Sequence, residues 1–125
     1  MNTEQAMVKE FHRQFRIHIS EKPEIPSEEV AELREVLMTE ELSELAEAME
    51  CEELQDIAKE LADLLYVVYG TAVAYGIDME PVFKEVHRSN MTKIGGYRRA
   101  DGKWMKSPTY SKAQLKDILK EQSDK

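Results

Sequence analysis

Cysteine is almost missing from this chain: Cys51 stands alone in 125 residues. No intramolecular disulfide can form, so a reducing cytoplasm is the expected setting. As a lone thiol in acidic surroundings with no partner base, Cys51 reads as filler and not as a nucleophile. Long apolar runs are also missing. The most apolar stretch, residues 64–75, is interrupted by Gly70 and falls short of the roughly 18–20 apolar residues that a membrane span requires. A buried helix accounts for it. Met1 to Phe15 is polar and amphipathic and holds no apolar signal-peptide core. Positive charge is scarce: 17 Lys and Arg against 25 Asp and Glu leave a formal net charge of −8. That balance excludes a general nucleic-acid surface, which is built from Lys and Arg clusters, but not a small phosphate ligand that arrives with its own metal. Histidine is sparse too, and His12, His18 and His87 lack the Glu-x-x-His spacing of di-iron bundles.

At 42% hydrophobic and 34% charged residues, the chain suits a single domain over residues 1–125, large enough to bury roughly two thirds of its unfolded surface. Helical periodicity dominates and no alternating strand pattern stands out, so the class is all-α. A first helix is predicted over residues 3–18, with Val8, Phe11 and Phe15 on one face, ahead of the breaker Glu21-Lys-Pro-Glu-Ile-Pro26. Ser27 offers the N-cap of a second helix running to about Glu50, with Glu28 and Glu29 favouring its dipole. A third, from about Glu53 to Tyr75, is apolar on nearly its whole circumference and ends where Gly76 can take the left-handed position. Asp78 looks like the cap of a fourth, with Pro81 in its first turn and Val82, Phe83 and Val86 facing inward, fading near Lys93. A basic loop follows around the turn signal Asp101-Gly102. Ser111 and Gln114 form a candidate capping box for a short last helix to about Leu119, beyond which the end frays. The expected architecture is a four-helix-bundle-like domain with a basic C-terminal loop and a short final helix.

Two acid pairs break the helical pattern: Glu41 with Glu44, and Glu60 with Asp63, each at i,i+3. Val30, Leu33 and Leu37 define the inward stripe of the second helix, and at about 100° per residue Glu41 and Glu44 fall within about 40° of Leu37. Glu60 and Asp63 sit beside Leu64 and Val67 on the most apolar helix. Acids at such azimuths are not an ordinary solvated face. If the pairs converge, carboxylates about 4 Å apart repel by about 4 kcal/mol per pair at an effective dielectric of 20, so protons or a divalent cation must relieve them. Four carboxylates without interleaved His or Cys make a hard oxygen site, suited to Mg²⁺ or Mn²⁺ and not to zinc. Mg²⁺ commonly shares its shell with substrate phosphates.

The run Glu40-Glu41-x-x-Glu44, a spacer, and Glu60-x-x-Asp63 resembles the signature of the all-α nucleoside triphosphate pyrophosphohydrolases, which include MazG-type enzymes and phosphoribosyl-ATP pyrophosphohydrolase. Glu85-Val-His-Arg-Ser-Asn-Met-Thr-Lys93, with Asp101-Gly-Lys103 and Lys106, is similar to the phosphoribosyl-ATP pyrophosphohydrolase-like subgroup, and the resemblance spans roughly residues 8–110. It implies Mg²⁺-dependent hydrolysis of an NTP or dNTP to the monophosphate and pyrophosphate, with metal held by Glu41, Glu44, Glu60 and Asp63, and a house-cleaning role by analogy. Glu40, within a turn of both metal acids, is the candidate general base, against the plainer reading of an exposed helix acid. Asn90, Lys93, Lys103 and Lys106 are candidate phosphate contacts, against a tail that merely balances an acidic protein. His87 suits a structural role, and Tyr66 and Tyr69 suit core packing better than base stacking.

Two rivals stay open: phosphoribosyl-ATP hydrolysis in histidine synthesis, and a non-catalytic helical module that binds a partner through its basic loop or acidic bundle. A third helix apolar on every side also needs more cover than a four-helix monomer gives, so a homodimer or homotetramer is expected.

Overall fold

The computed structural model describes Met1–Lys125. Its elements are α1 (Thr3–Gln14), α2 (Glu28–Cys51), α3 (Leu54–Tyr75), α4 (Met79–Met91), the two-residue strands β1 (Tyr97–Arg98) and β2 (Trp104–Met105), and α5 (Lys116–Asp124). The all-α class holds, and no helix is long and apolar enough to cross a membrane. The chain forms two compact units, Met1–Met79 and Glu80–Lys125.

In the first unit α3 packs against both α1 and α2. Ser27 caps α2, its Oγ accepting from Val30 N at 3.2 Å. Glu52, left-handed at φ 55°, ends α2, and α3 begins at Leu54, so the two long helices form a tight hairpin.

Asn2 caps α1 by accepting from Gln5 N at 2.8 Å, but that helix stops at Gln14, short of the predicted residue 18. Arg16 turns left-handed, Ile17 N donates back to His12 O at 2.8 Å, and His12 Nδ1–H donates to His18 O at 3.0 Å. Those bonds fold the chain back instead of letting the helix continue.

The segment that follows straps the C-terminal end of α3. Ser20 N donates to Val73 O, Glu24 N to Tyr75 O, and Ser20 Oγ to Ala74 O at 2.7 Å. Carbonyls that a helix end leaves without intrahelical partners are thereby satisfied. Gly76 takes the predicted left-handed turn at φ 71°, and a Cβ there would run into the strap's Lys22 carbonyl.

The core is unexpectedly polar. Val8, Val73 and Ala74 are buried together with Gln5, His12, Ser20 and Arg34. Arg34 donates to Thr71 Oγ1 at 3.3 Å and Val67 O at 3.1 Å, and burial lowers its pKa. Burial also lowers that of His12, opposed by its bond to His18 O and reinforced by the nearby Arg34 charge. The helical stripe of α2 therefore runs through Arg34 and Leu45, while Leu33, predicted to face inward, is 50% exposed. Phe11 and Phe15 likewise lie largely on the surface, with only Val8 of their predicted face buried. Phe11 packs against Phe15 with the rings tilted at 47° and meets Tyr66 edge-on at 5.4 Å. Tyr69 OH accepts from Asn2 Nδ2, so both tyrosines have packing partners. Leu42, Met49, Leu61, Leu65 and Val68 stay exposed along α2 and α3.

In the second unit α4 begins directly after Asp78. Its buried residue is Ser89, whereas Phe83, predicted to face inward, is 70% exposed and Val86 is exposed too. The inner positions serve the tail instead. Ser89 Oγ donates to Tyr110 OH at 3.1 Å, and Glu85 accepts from Arg88 and from Gln114 N. Ser111 N donates to Thr92 Oγ1 while its hydroxyl accepts from Arg88. With Ser111 and Gln114 so engaged, the predicted capping box does not form, and α5 starts at Lys116 and continues to Asp124. Around Asp101-Gly102 the basic loop closes as a hairpin, pairing Tyr97 with Met105 and Arg98 with Trp104. Two-residue strands are too short to leave an alternating pattern.

Gly70 sits where the side chains of Arg34 and His12 approach α3, and a Cβ there would overlap both. Helix propensity alone favours alanine over glycine by about 1 kcal/mol. Gly70→Ala is nonetheless expected to destabilise by about 1–3 kcal/mol through overpacking, measured by urea unfolding.

Candidate metal centre and active site

The α2–α3 hairpin sets the site by simple counting. Glu44 and Glu60 each lie eight residues from Glu52, and Glu41 and Asp63 each lie eleven. In an antiparallel pair of equal pitch, each acid of α2 then stands level with one of α3. The structure agrees: Glu41, Glu44, Glu60 and Asp63 each present one carboxylate oxygen, all within 4.8 Å of one another.

Glu44 is exposed, whereas the other three are half-buried. Glu41 Oε2 and Glu60 Oε2 are closed off from solvent with no hydrogen-bond partner. Desolvation, then the charges of Glu44, Asp63 and Glu60, raise the pKa of Glu41. Desolvation also raises that of Glu60, against the pull of Lys59 and with the push of Glu44 and Asp63. On the rim, Lys59 Nζ lies 2.5 Å from Asp63 Oδ2 and 4.0 Å from Glu60 Oε1.

An all-oxygen donor set with two orphaned buried oxygens fits a hard divalent cation. Lys59 escaped the sequence reading, although its i,i+4 relation to Asp63 is a standard helical ion-pair spacing.

Glu40 is exposed and lines a shallow groove of about 390 Å³ with Glu32, Glu35, Val36 and Thr39. It is not among the converging oxygens. In the second unit, Lys93 and Lys106 hold their ammonium groups over one ring, that of Tyr110, at 5.8 and 5.2 Å from its centre. Tyr110 is a further residue that sequence reasoning missed, since nothing local marks a loop tyrosine as a platform. Lys93 is also fixed by its backbone, with its carbonyl accepting from Trp104 Nε1 at 2.8 Å and its amide donating to Asn90 O.

Lys103 sits apart at the hairpin turn, its amide donating to Asp101 Oδ1, and the Asn90 side chain is exposed. His87 is exposed on α4. Glu85, held by Arg88 and by the amide of Gln114, has its pKa lowered to about 2, so the tail stays tied to α4 across the neutral range.

A family model described as PRA-PH, phosphoribosyl-ATP pyrophosphohydrolase, matches residues 8–90. The match covers about two thirds of the chain, takes in the acid quartet and Asn90, and stops before Lys93, Lys103 and Lys106. No curated protein matches the chain.

The raised pKa values of Glu41 and Glu60 carry a stability consequence. Between the ordinary value of 4.5 and the raised ones, the folded state binds more protons than the unfolded state. The contribution of these two acids therefore grows as pH falls through that window and is lost as pH rises. Glu41→Gln removes one of the repelling charges while keeping the shape. In EDTA at pH 7.5 it should melt a few degrees above the parent, with the difference shrinking toward pH 5, as followed by circular dichroism.

Proposed function

Because the chain belongs to the phosphoribosyl-ATP pyrophosphohydrolase family, within the MazG-like all-α superfamily of NTP pyrophosphohydrolases, we propose that it hydrolyses a nucleoside triphosphate to the monophosphate and pyrophosphate with Mg²⁺. Mn²⁺ suits the same ligands. The observation that carries this reading is the pair of buried, unpartnered oxygens on Glu41 and Glu60 inside a quartet of converging carboxylates. Enclosing two carboxylate oxygens without a hydrogen-bond partner is costly, and a bound cation would offset that cost.

Glu41, Glu44, Glu60 and Asp63 would hold the metal. When bound, the cation supplies charge neutralisation on the phosphate oxygens and lowers the pKa of an attacking water. The chain's own part is to hold the four carboxylates close together on two packed helices. Glu40 is the candidate base for the water. Asn90, Lys93, Lys103 and Lys106 are candidate phosphate contacts, with Lys93 and Lys106 already paired over Tyr110. The physiological role in this reading is nucleotide-pool house-cleaning. The description of the matched family favours a second substrate, phosphoribosyl-ATP, on the same acid quartet.

Incubation with a panel of dNTPs, NTPs and phosphoribosyl-ATP in Mg²⁺ should yield a monophosphate product and pyrophosphate. Orthophosphate with a diphosphate would overturn the reaction type, and preference for phosphoribosyl-ATP would select the second reading. Glu60→Gln should lower kcat by at least 10²-fold and weaken Mg²⁺ binding, whereas Glu40→Gln should lower kcat by about 10²-fold with Mg²⁺ affinity intact.

The exposed apolar residues of α2 and α3, Leu65 at 57% among them, support a homo-oligomer in which a second copy covers these faces. Light scattering at micromolar concentration should give a dimer or tetramer mass, and Leu65→Glu should shift it toward monomer.

A further inference from the structure

Lys59 stands at the rim of the acid quartet, and any role for it there rests on the quartet being a metal site. Its side chain is 67% exposed, while the Glu60 carboxylate it approaches is 17% exposed and that of Asp63 is 33% exposed. Its ammonium meets Asp63 Oδ2 at 2.5 Å, which places a positive charge against one of the four carboxylates that converge. It also lies 4.0 Å from Glu60 Oε1, yet the buried oxygens Glu41 Oε2 and Glu60 Oε2 stay without hydrogen-bond partners. The lysine thus offsets charge on Asp63 and Glu60 without giving the enclosed oxygens a hydrogen bond.

A divalent cation among the same carboxylates would repel the ammonium and compete with it for Asp63. An exposed ion pair on a flexible four-carbon stem is weak enough to yield. We propose that Lys59 is a tethered stand-in for the metal: it neutralises Asp63 and Glu60 in the metal-free protein and must swing into solvent before Asp63 engages the cation, so it sets the affinity and the ease of release. Glu60 and Asp63 hold the ion, and Lys59 acts through them as a positioning residue.

Direct Mn²⁺ binding to the full chain, read by electron paramagnetic resonance of the free ion, tests this without any turnover. Lys59→Met should bind Mn²⁺ about three- to ten-fold tighter than the parent, with the gain shrinking at high salt, and Lys59→Arg should stay near the parent. In the unmodified protein, the Lys59 ammonium signal in ¹H–¹⁵N spectra should change from restricted to freely rotating as Mg²⁺ saturates the site. Equal or weaker Mn²⁺ binding by Lys59→Met, with the parent binding normally, overturns the role of Lys59 alone. Absence of Mn²⁺ binding by both proteins overturns the metal reading together with it.

Discussion

Mutual repulsion among four carboxylates is the constraint around which the first unit is organised. Glu41, Glu44, Glu60 and Asp63 push against one another from two helices that must nonetheless pack side by side. Lysine at the rim and raised proton affinity at the centre offset part of that push. The remainder is borne by packing elsewhere: the strap across the end of α3, the buried contacts of Val8, Val73 and Ala74, and the short connection at Glu52. A site of this kind is destabilising by itself, and the fold tolerates it because anchoring lies to either side of it, at the Glu52 turn and at the strapped end of α3.

Much of this was legible in the sequence, for identifiable reasons. The acid pairs stood out because i,i+3 acids on a core azimuth contradict the helical pattern around them, and such contradictions mark functional positions. Ser27 and Gly76 fixed helix ends through local chemistry that needs no tertiary knowledge. Glu52 was less obvious, since only the finished hairpin reveals it as the pivot from which Glu44 and Glu60 are equidistant.

Several misreadings arise where hydrogen bonds outside the regular helical pattern override local signals. Leu33 looked like core because apolar residues usually are, yet Arg34 took the inward position once Val67 and Thr71 could receive its guanidinium. Ser111 and Gln114 had the spacing of a capping box, but Thr92 and Glu85 claimed their amides. The first helix stopped early because His18 and His12 found each other across a turn. Tyr110 matters through two lysines distant from each other in sequence, a relation with no local trace.

Arg34 carries a consequence for the alignment of the two long helices. Leucine or valine packing tolerates a neighbouring helix that slides by one turn, since one apolar surface resembles the next. A guanidinium bonded to the carbonyl of Val67 and the hydroxyl of Thr71 does not. One turn of slip would move α3 by about 5.4 Å, more than the whole 4.8 Å spread of the carboxylate oxygens. The buried arginine, two turns along α2 from Glu41, is a registration pin that keeps the four acids in step from a distance.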